Sequence, residues 1–345
     1  MDGDFSLSHS AVPRQGGLVR DSGIKVPVLD DIGPIAARAD GRDSRGMSRG
    51  YRATVREAAV LAVLGTMLVS SGAPATAAVY HPTEARAAAR PDHLSAAEAQ
   101  ALNDLLERSG LRVKLEILSA SVRVQLQRGR LRDQDRVTID RIASGRFDAG
   151  ALYARIQLEF ERNLDSVPLA PALSWYDSPL GKRITELELV ALVLDGGRDA
   201  VADFEKDRPS PRRLGLIERL DAGGGASETT VDVIMAIVRS LTRAFQPALP
   251  AVAGLSPREL DDQLALARNR TLPQIRRVGL LSMLGAYRSL SDPELDEYLR
   301  FVESEEGRWY MRVMNSALLA AVDVAARATA AELVIAVPHL GDDLR

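Results

Sequence analysis

The sequence predicts an all-α protein built from two related helical units. Three observations predict it: apolar residues recur at helical spacing, sustained strand-like alternation is missing, and aromatic residues make up 4% of a chain that is 46% hydrophobic. A core with so few aromatic side chains rests on Ala, Leu, Val and Ile, which suits packed helices better than a β-sandwich. We therefore expect two tandem helical bundles after a disordered N-terminus.

The amino-acid composition excludes several classes of function. The net charge of −3 lacks the clustered basic excess of a nucleic-acid binder, so nucleic acid is not an expected partner. The chain has no cysteine, which rules out disulfides, thiolate catalysis and thiolate metal ligands. No motif points to a metal site or a cofactor, and none is expected.

The N-terminal part of the chain predicts export. Residues 1–46 are expected to be disordered, or an over-extended start upstream of Met47. From Met47, an arginine-rich leader, a short apolar run and a small-residue cleavage site predict a secretory signal peptide over residues 47–78. We expect cleavage after Ala77 or Ala78 and a periplasmic or secreted location, with no stable transmembrane span. An uncleaved signal would instead anchor the chain to the inner membrane.

Helical patterns begin after a flexible lead-in predicted at residues 79–93. Ser95 is a suitable N-cap and Glu98 follows three positions later, the pattern of a capping box. Gly110 is expected to end this helix. Apolar stripes at three-and-four spacing predict further helices at Val231, Ile234, Met235, Val238, Leu241 and Phe245; at Leu295, Tyr298, Leu299 and Val302; and at Met311, Met314, Leu318 and Val322.

Two stretches of the chain match at a constant spacing of 126 positions. They are "LDSVPLAPALSWYDSPLGKR" (164–183) and "LSDPELDEYLRFVESEEGRW" (290–309). The matched pairs are Trp175 with Phe301, Asp177 with Glu303, Ser178 with Ser304, Gly181 with Gly307, and Lys182 with Arg308. This agreement predicts an internal duplication.

Farther upstream, "LLERSG" resembles "LIERLD" at a spacing of 111. The second copy is therefore expected to be longer, around "DAGGGASETT" or near Pro247–Pro257. The predicted organisation is a first repeat at 94–204, a linker at 205–213, a second repeat at 214–337 and a tail at 338–345.

The repeated motif is expected to be a junction between two helices. Ser178 falls where an N-cap is needed, and Pro179 at the first helical position loses no hydrogen bond. A glycine three positions after each serine is expected to let the new helix approach a neighbour closely. The motif residues are Trp175, Tyr176, Ser178, Pro179, Gly181, Phe301, Ser304 and Gly307.

The same stretch also allows two chemical interpretations, a nucleophile and an anion site. A nucleophile elbow needs glycines where Tyr176 and Leu180 stand, and no histidine lies within the repeats' cores, so no catalytic residue is expected. An anion could bind at the capped helix start through Ser178, Gly181 and Lys182.

The stretch "WYDSPLGK" resembles a family of bacterial exported helical domains of unknown function, the family numbered 2059. The first repeat matches its aromatic, Ser, Pro, Gly and basic positions with Tyr176 or Trp175, Ser178, Pro179, Gly181, and Lys182 or Arg183. The second repeat departs from the pattern, because Glu305 replaces the proline. The resemblance implies an exported α-helical protein and supplies no reaction, ligand or catalytic residue.

The predicted function is a non-catalytic binding or protein-interaction module whose partner is an unknown protein or envelope component. One alternative is a lipid or small-anion binding protein with a pocket between helices. Another is a hydrolase whose active site the sequence does not reveal. An apolar cavity would favour a lipid, whereas an exposed apolar strip would favour a protein partner.

Overall fold

The computed structural model describes residues 94–127, 131–193, 208–248 and 254–338. Of these residues 87% are helical and none lies in a strand, which confirms the all-α prediction. The helices are α1 (Ala96–Arg108), α2 (Leu111–Leu126), α3 (Asp133–Arg146), α4 (Ala149–Arg162), α5 (Ser166–Asp177), α6 (Pro179–Val193), α7 (Pro211–Gly224), α8 (Ala226–Phe245), α9 (Pro257–Ala286), α10 (Asp292–Val302) and α11 (Glu305–Ala336). The predicted leader, signal peptide and lead-in, and all but the first residue of the tail, lie outside the described residues.

Helix α1 begins and ends as the sequence predicts. The hydroxyl of Ser95 accepts from the N–H of Glu98 at 3.2 Å, and the Glu98 carboxylate accepts from the N–H of Ser95 at 3.1 Å. These bonds form a capping box. After α1, Gly110 has a φ of 72°, a left-handed conformation that disfavours a β-carbon. This glycine turns the chain directly into α2.

The second repeat begins with the same two features, a serine N-cap and a left-handed glycine. Ser210 caps α7, and Gly225, with a φ of 59°, turns the chain from α7 into α8. Ser95 and Ser210 are 115 positions apart, as are Gly110 and Gly225. The helix ends therefore align the repeats at 115 rather than the predicted 111, a shift of about one helical turn. Ser210 lies in the predicted linker, so the second repeat starts before residue 214.

Side-chain contacts support this alignment. In the first repeat, the Ser166 hydroxyl donates to Oε1 of Glu98 at 2.5 Å and joins the start of α5 to the start of α1. In the second repeat, Nη1 of Arg213 donates to Asp292 at 3.0 Å and joins the start of α7 to the start of α10. Glu98 and Arg213 are 115 positions apart, whereas Ser166 and Asp292 are 126 apart. Equivalent positions are therefore hydrogen-bonded in both repeats. The donor lies at the start of α5 in the first repeat and at the start of α7 in the second.

The spacing grows from 115 to 124 at the start of α9 because the second repeat is longer at α8 and the turn that follows it, and it reaches 126 within α9. Helix α8 has 20 residues where α2 has 16, and a short 3₁₀ turn, Gln246–Ala248, follows it. The extra length therefore lies near Pro247–Pro257, one of the two predicted places. The other place, "DAGGGASETT", is the compact junction of α7 and α8.

One helix of the second repeat replaces two helices of the first. Helices α3 and α4 are separated at Phe147 and Asp148, whereas α9 runs without interruption for 30 residues. Pro273 lies inside α9, 126 positions after Phe147. The site of the break in the first repeat is thus marked by a proline within the continuous helix of the second.

Equivalent helices pack against each other in the two repeats. Helix α1 packs on α5 as α7 packs on α10, and α2 packs on α6 as α8 packs on α11. The last helix of each repeat also crosses to the other repeat: α6 packs on α9 and α10, and α11 packs on α3, α4 and α5. This reciprocal exchange relates the repeats by an approximate twofold axis, as in a symmetric dimer.

Two hydrogen bonds between the repeats follow the same symmetry. Nε1 of Trp309 donates to the carbonyl of Asn163 at 3.3 Å, and Nη2 of Arg183 donates to the carbonyl of Ser289 at 2.8 Å. The two donors are 126 positions apart, and so are the two acceptors. The register predicted for the motif is therefore also the register of the contacts between the repeats.

An aromatic cluster lies at the approximate axis. Trp175 and Phe301, which occupy matched positions, stack with ring centroids 4.6 Å apart and an interplanar angle of 9°. Tyr176 packs edge-on against Phe301 at 5.9 Å and lies 5.2 Å from Tyr310. Buried side chains of both repeats join in one large hydrophobic cluster. The two repeats therefore share a core and are not separate bundles.

Candidate functional site

Ser178, the residue that first suggests chemistry, caps α6. Its hydroxyl accepts from the N–H of Gly181 at 2.9 Å. Its own N–H donates to the carbonyls of Ser174 and Trp175 in the last turn of α5. Pro179 is the first residue of α6, where its missing N–H costs nothing. The side chain and the backbone of Ser178 thus join the two helices.

Ser304 makes the same junction in the second repeat. Its hydroxyl accepts from the N–H of Gly307 at 3.1 Å and donates to the carbonyl of Phe301 at 2.7 Å. Glu305 and Glu306 follow in the first turn of α11, where negative charge complements the helix dipole. The second junction therefore uses acidic residues where the first has a proline.

Gly181 and Gly307 are required by the backbone of the preceding helix. A β-carbon on Gly181 would overlap the carbonyl oxygen of Trp175, and one on Gly307 would overlap that of Phe301. Each carbonyl lies six positions earlier, in the last turn before the junction. The expected close approach is present, but the partner is the adjacent helix end and not a separate helix.

Ser178, Gly181 and Lys182 lie together at the start of α6, as the predicted anion site requires. However, the hydroxyl of Ser178 is occupied by Gly181, and Nζ of Lys182 lies 3.3 Å from the carboxylate of Asp177. Asp177 also pairs with Arg108. A carboxylate directly before the helix N-terminus competes with any incoming anion. The local charges favour a structural role for this junction.

A buried ionic cluster joins the two repeats, and the sequence analysis did not predict it. Nζ of Lys114 in α2 lies 3.1 Å from Oε2 of Glu188 in α6, and the two side chains are 7% and 8% exposed. Oε1 of Glu188 accepts from the hydroxyl of Tyr287 at 2.8 Å and from that of Tyr298 at 3.3 Å. One cation and two hydroxyl donors therefore compensate the buried carboxylate.

The ionic cluster breaks the approximate symmetry. The position equivalent to Glu188 is Met314, which is buried in α11, and the position equivalent to Tyr298 is Ala172, which is buried in α5. The fold therefore accommodates an apolar residue at the same place. The ionic cluster therefore occupies only one of the two places that the approximate symmetry relates.

A sequence signal for this cluster was present. Lys114 lies in the apolar stripe formed by Leu111, Leu115 and Leu118, and Glu188 lies one turn after Ile184. A charged residue at a core position of a helix predicts a buried partner of opposite charge. The pattern does not identify that partner, because the two residues are 74 positions apart.

Burial also controls the ionisation of two tyrosines near Phe301. Burial raises the pKa of Tyr310 to about 12 and raises the pKa of Tyr176 well above its usual range. A side-chain hydrogen bond joins the two tyrosines. Both hydroxyls therefore remain protonated at neutral pH and act as hydrogen-bonding groups rather than as bases.

A second buried carboxylate, that of Asp221, caps a helix. Oδ1 of Asp221 accepts from the N–H of Ser227 at 3.1 Å and from its hydroxyl at 2.8 Å, at the start of α8. Desolvation raises the pKa of Asp221, and the bonds from Ser227 oppose this shift. These contacts assign Asp221 to the junction of α7 and α8.

An open groove of about 480 Å³ runs between α1 and α5. The two helices are parallel, because Glu98 bonds Ser166 at their N-terminal ends and Arg108 pairs with Asp177 at their C-terminal ends. The groove is lined by Ala97, Glu98, Ala101, Ser166, Leu169, Ala170, Leu173, Ser174 and Asp177. Most of these side chains are small or apolar, and no basic residue is among them.

Beside the groove, α5 exposes an apolar surface. Val167 is 76% exposed, and Ala170, Pro171 and Ser174 are exposed on the same side of the helix. Helix α5 has no charged residue before Asp177, whereas a surface helix usually carries charges on its outer side. We call the groove together with these exposed residues the groove face.

The equivalent surface of the second repeat is charged. The residues 126 positions after Val167, Ala170, Pro171 and Ser174 are Pro293, Asp296, Glu297 and Arg300 of α10. Helices α5 and α10 pack on equivalent partners, so the fold does not require apolar residues at these positions. The apolar groove face is specific to the first repeat.

This chain matches no family model, no curated protein and no solved structure. The resemblance of "WYDSPLGK" to a family of exported helical domains therefore stays a prediction. Within the described ranges, no helix combines the length and apolar character needed to cross a membrane. Nor do three or more acidic or histidine side chains come together there as ligands of a metal ion.

Proposed function

We propose that this chain is an exported interaction module and that the groove face binds a protein partner. The partner presents a short helix with small apolar side chains and at least one basic residue. The proposed export rests on the signal pattern of residues 47–78, and the resemblance to exported helical domains agrees with it. The ionic cluster serves to hold the two repeats together, and the capped junctions join consecutive helices within each repeat.

The contrast between α5 and α10 carries this proposal. Charged residues fit the outer side of α10, so apolar residues on α5 are not needed for folding. A partner that covers these residues would gain binding free energy, because burying a side chain such as Val167 contributes about 2 kcal/mol. An exposed apolar surface of this kind marks interaction sites on soluble proteins.

The groove lining supports a partner with positive charge. Glu98 and Asp177 line the groove, and hydrogen bonds from Ser166 and then Ser95 lower the pKa of Glu98 and keep it ionised at neutral pH. A basic side chain on the partner would pair with Glu98, because Asp177 is already paired with Arg108 and Lys182. The small residues between Glu98 and Asp177 allow the partner's backbone to come close.

A lipid is the second candidate ligand, because much of the groove lining is apolar. Small-molecule sites usually bury most of the ligand surface, whereas this groove is open along its length. The carboxylate of Glu98, which has no cation as a partner among the described residues, would also repel an anionic headgroup. The groove therefore suits a peptide segment better than a lipid.

Site-specific cross-linking in intact cells tests the proposal. A photoreactive phenylalanine derivative replaces Ala170 in one variant and Asp296, the equivalent position of the second repeat, in the matched control. We expect a discrete protein adduct from position 170 that position 296 does not give. A lipid adduct at position 170 would favour the second candidate, and identical adducts from both positions would contradict a site specific to the first repeat.

A further inference from the structure

We infer that the chain carries a ligand for its own groove: residues 86–90, with the sequence RAAAR, bind the groove face in competition with the partner. This inference rests on the proposed function, because it assigns an occupant to the same surface. Signal cleavage after Ala77 or Ala78 would leave this segment near the N-terminus of the mature chain.

The segment and the groove are complementary in size and charge. Three consecutive alanines match a lining of small residues, and an arginine precedes and follows them, at positions 86 and 90. Among the described residues, Glu98 is bound by serine hydroxyls and an N–H group, and no cation pairs with it. An arginine from the segment would supply that cation.

The chain is long enough to place the segment there. Three residues, 91–93, separate Arg90 from Leu94, and they span up to about 10 Å when extended. The groove begins at Ala97 and Glu98, in the first turn of α1.

The second repeat has neither a segment like residues 86–90 nor an apolar surface like the groove face. The residues 115 positions after 86–90 are "VADFE" (201–205), which contain neither a run of alanine nor an arginine. The side of α10 that corresponds to the groove face carries Asp296, Glu297 and Arg300. The segment and the apolar groove therefore occur together, in the first repeat alone.

Charge also argues against a second copy of the chain as the occupant. Two groove faces brought together would place Glu98 of one copy near the acidic lining of the other. Such like charges repel, and the lining supplies no basic residue to offset them. A segment with two arginines meets Glu98 with opposite charge.

The experiment uses thiol reactivity in the purified full-length chain, which has no cysteine of its own. Ser174→Cys places a thiol in the groove, and Arg300→Cys places one at the equivalent exposed position of α10. The probe is a small uncharged maleimide, and rates are compared at equal fractions of ionised thiol. We expect the thiol at position 174 to react roughly fivefold more slowly than the control, as a tethered weak ligand would protect it.

Reversing the charge of the segment provides the decisive comparison. In the Ser174→Cys background, Arg86→Glu with Arg90→Glu should restore the control rate, as should about 1 M salt, where the Debye length is about 3 Å. An unprotected thiol at position 174 would overturn the inference. Protection that survives the charge reversal would overturn it as well.

The proposed function and the self-ligand can fail separately. If position 174 is unprotected while the cross-link from position 170 to a partner persists, the groove binds a partner but not residues 86–90. If charge-dependent protection is seen at position 174 while position 170 gives no partner adduct in cells, the proposed partner is wrong. The binding of residues 86–90 to the groove would then still stand.

Discussion

Trp175 and Phe301 stack face to face with ring centroids 4.6 Å apart, although 126 positions separate them in the sequence. Because they occupy matched positions of the two repeats, each side chain contacts its own equivalent. A contact of this kind occurs where a twofold axis passes through an interface. The chain therefore consists of two repeats arranged as in a symmetric dimer. Where the two repeats differ at equivalent positions, the fold does not require the residue that either one has.

Replacing the junction glycine should destabilise the protein. In Gly181→Ala, the β-carbon would overlap the carbonyl of Trp175, so we expect the free energy of unfolding to fall by about 2 kcal/mol. Gly215→Ala in α7 is the matched control, because a β-carbon there meets nothing within 4 Å. It should raise stability by about 0.5–1 kcal/mol. Urea denaturation measures both, and a Gly181→Ala variant as stable as wild type would contradict the backbone overlap.

Removing the cap of α6 should have a smaller effect. Ser178→Ala loses the bond to the N–H of Gly181, which should lower the free energy of unfolding by about 1 kcal/mol. Ser304→Ala should lose a similar amount in the second repeat. If Ser178→Ala melts like wild type yet no longer forms the cross-link at position 170, Ser178 belongs to the binding site and is not only a cap.

The buried ionic cluster should show strong coupling between its two charges. Lys114→Met leaves the carboxylate of Glu188 buried without a cation, at a cost of about 3–5 kcal/mol. Adding Glu188→Met should recover most of this loss, because Met314 fills the equivalent place in the second repeat. Chemical denaturation of the two single variants and the double variant measures the coupling. Losses that simply add would show that the charges do not interact.

Tyr310 should make stability depend on pH in alkaline solution. Its pKa is raised to about 12 in the folded protein, above the value near 10 of an unfolded tyrosine. The folded state therefore holds this proton more tightly, so the stabilisation is complete below about pH 10 and is lost between about pH 10 and 12. Tyr310→Phe should show a shallower decline of the unfolding free energy over this range. A slope equal to that of wild type would contradict the raised pKa.

The helix junctions could be predicted from the sequence because each depends on a few local residues. Ser178, Pro179 and Gly181 have positional requirements that a cap and a tight turn explain without tertiary information. The same residues fixed the spacing of 126, and the hydrogen bonds of Trp309 and Arg183 follow that spacing. The cap of α1 was predictable for the same reason.

The predicted spacing between α1 and α7, 111 positions, differs from the observed 115 by about one helical turn, because leucines recur once per turn. A shift of four positions places leucine on leucine again, so "LLERSG" and "LIERLD" match at the wrong spacing. Non-periodic residues correct the error: the N-caps Ser95 and Ser210 and the left-handed glycines Gly110 and Gly225. Signals at helix ends are therefore more reliable than apolar stripes for aligning helical repeats.

The groove face and the ionic cluster depend on which helices become neighbours. The parallel packing of α1 on α5 creates the groove, and the crossing of α6 into the second repeat brings Glu188 to Tyr287 and Tyr298. Neither arrangement follows from the pattern of a single helix. The contrast itself is present in the two matched stretches, where α5 has Ala170, Pro171 and Ser174 and α10 has Asp296, Glu297 and Arg300.

The most direct test of the central claim transfers the surface of α10 onto α5. The triple variant Ala170→Asp, Pro171→Glu and Ser174→Arg carries the residues that α10 has at these positions, and Arg300→Ser in α10 is its control. The measured quantity is the Kd for the partner that cross-links at position 170, by titration calorimetry. We predict binding weaker by about tenfold or more, a change of about 1.4 kcal/mol, with an unchanged unfolding midpoint, whereas the control binds like wild type. A folded triple variant that binds the partner as tightly as wild type would contradict the account.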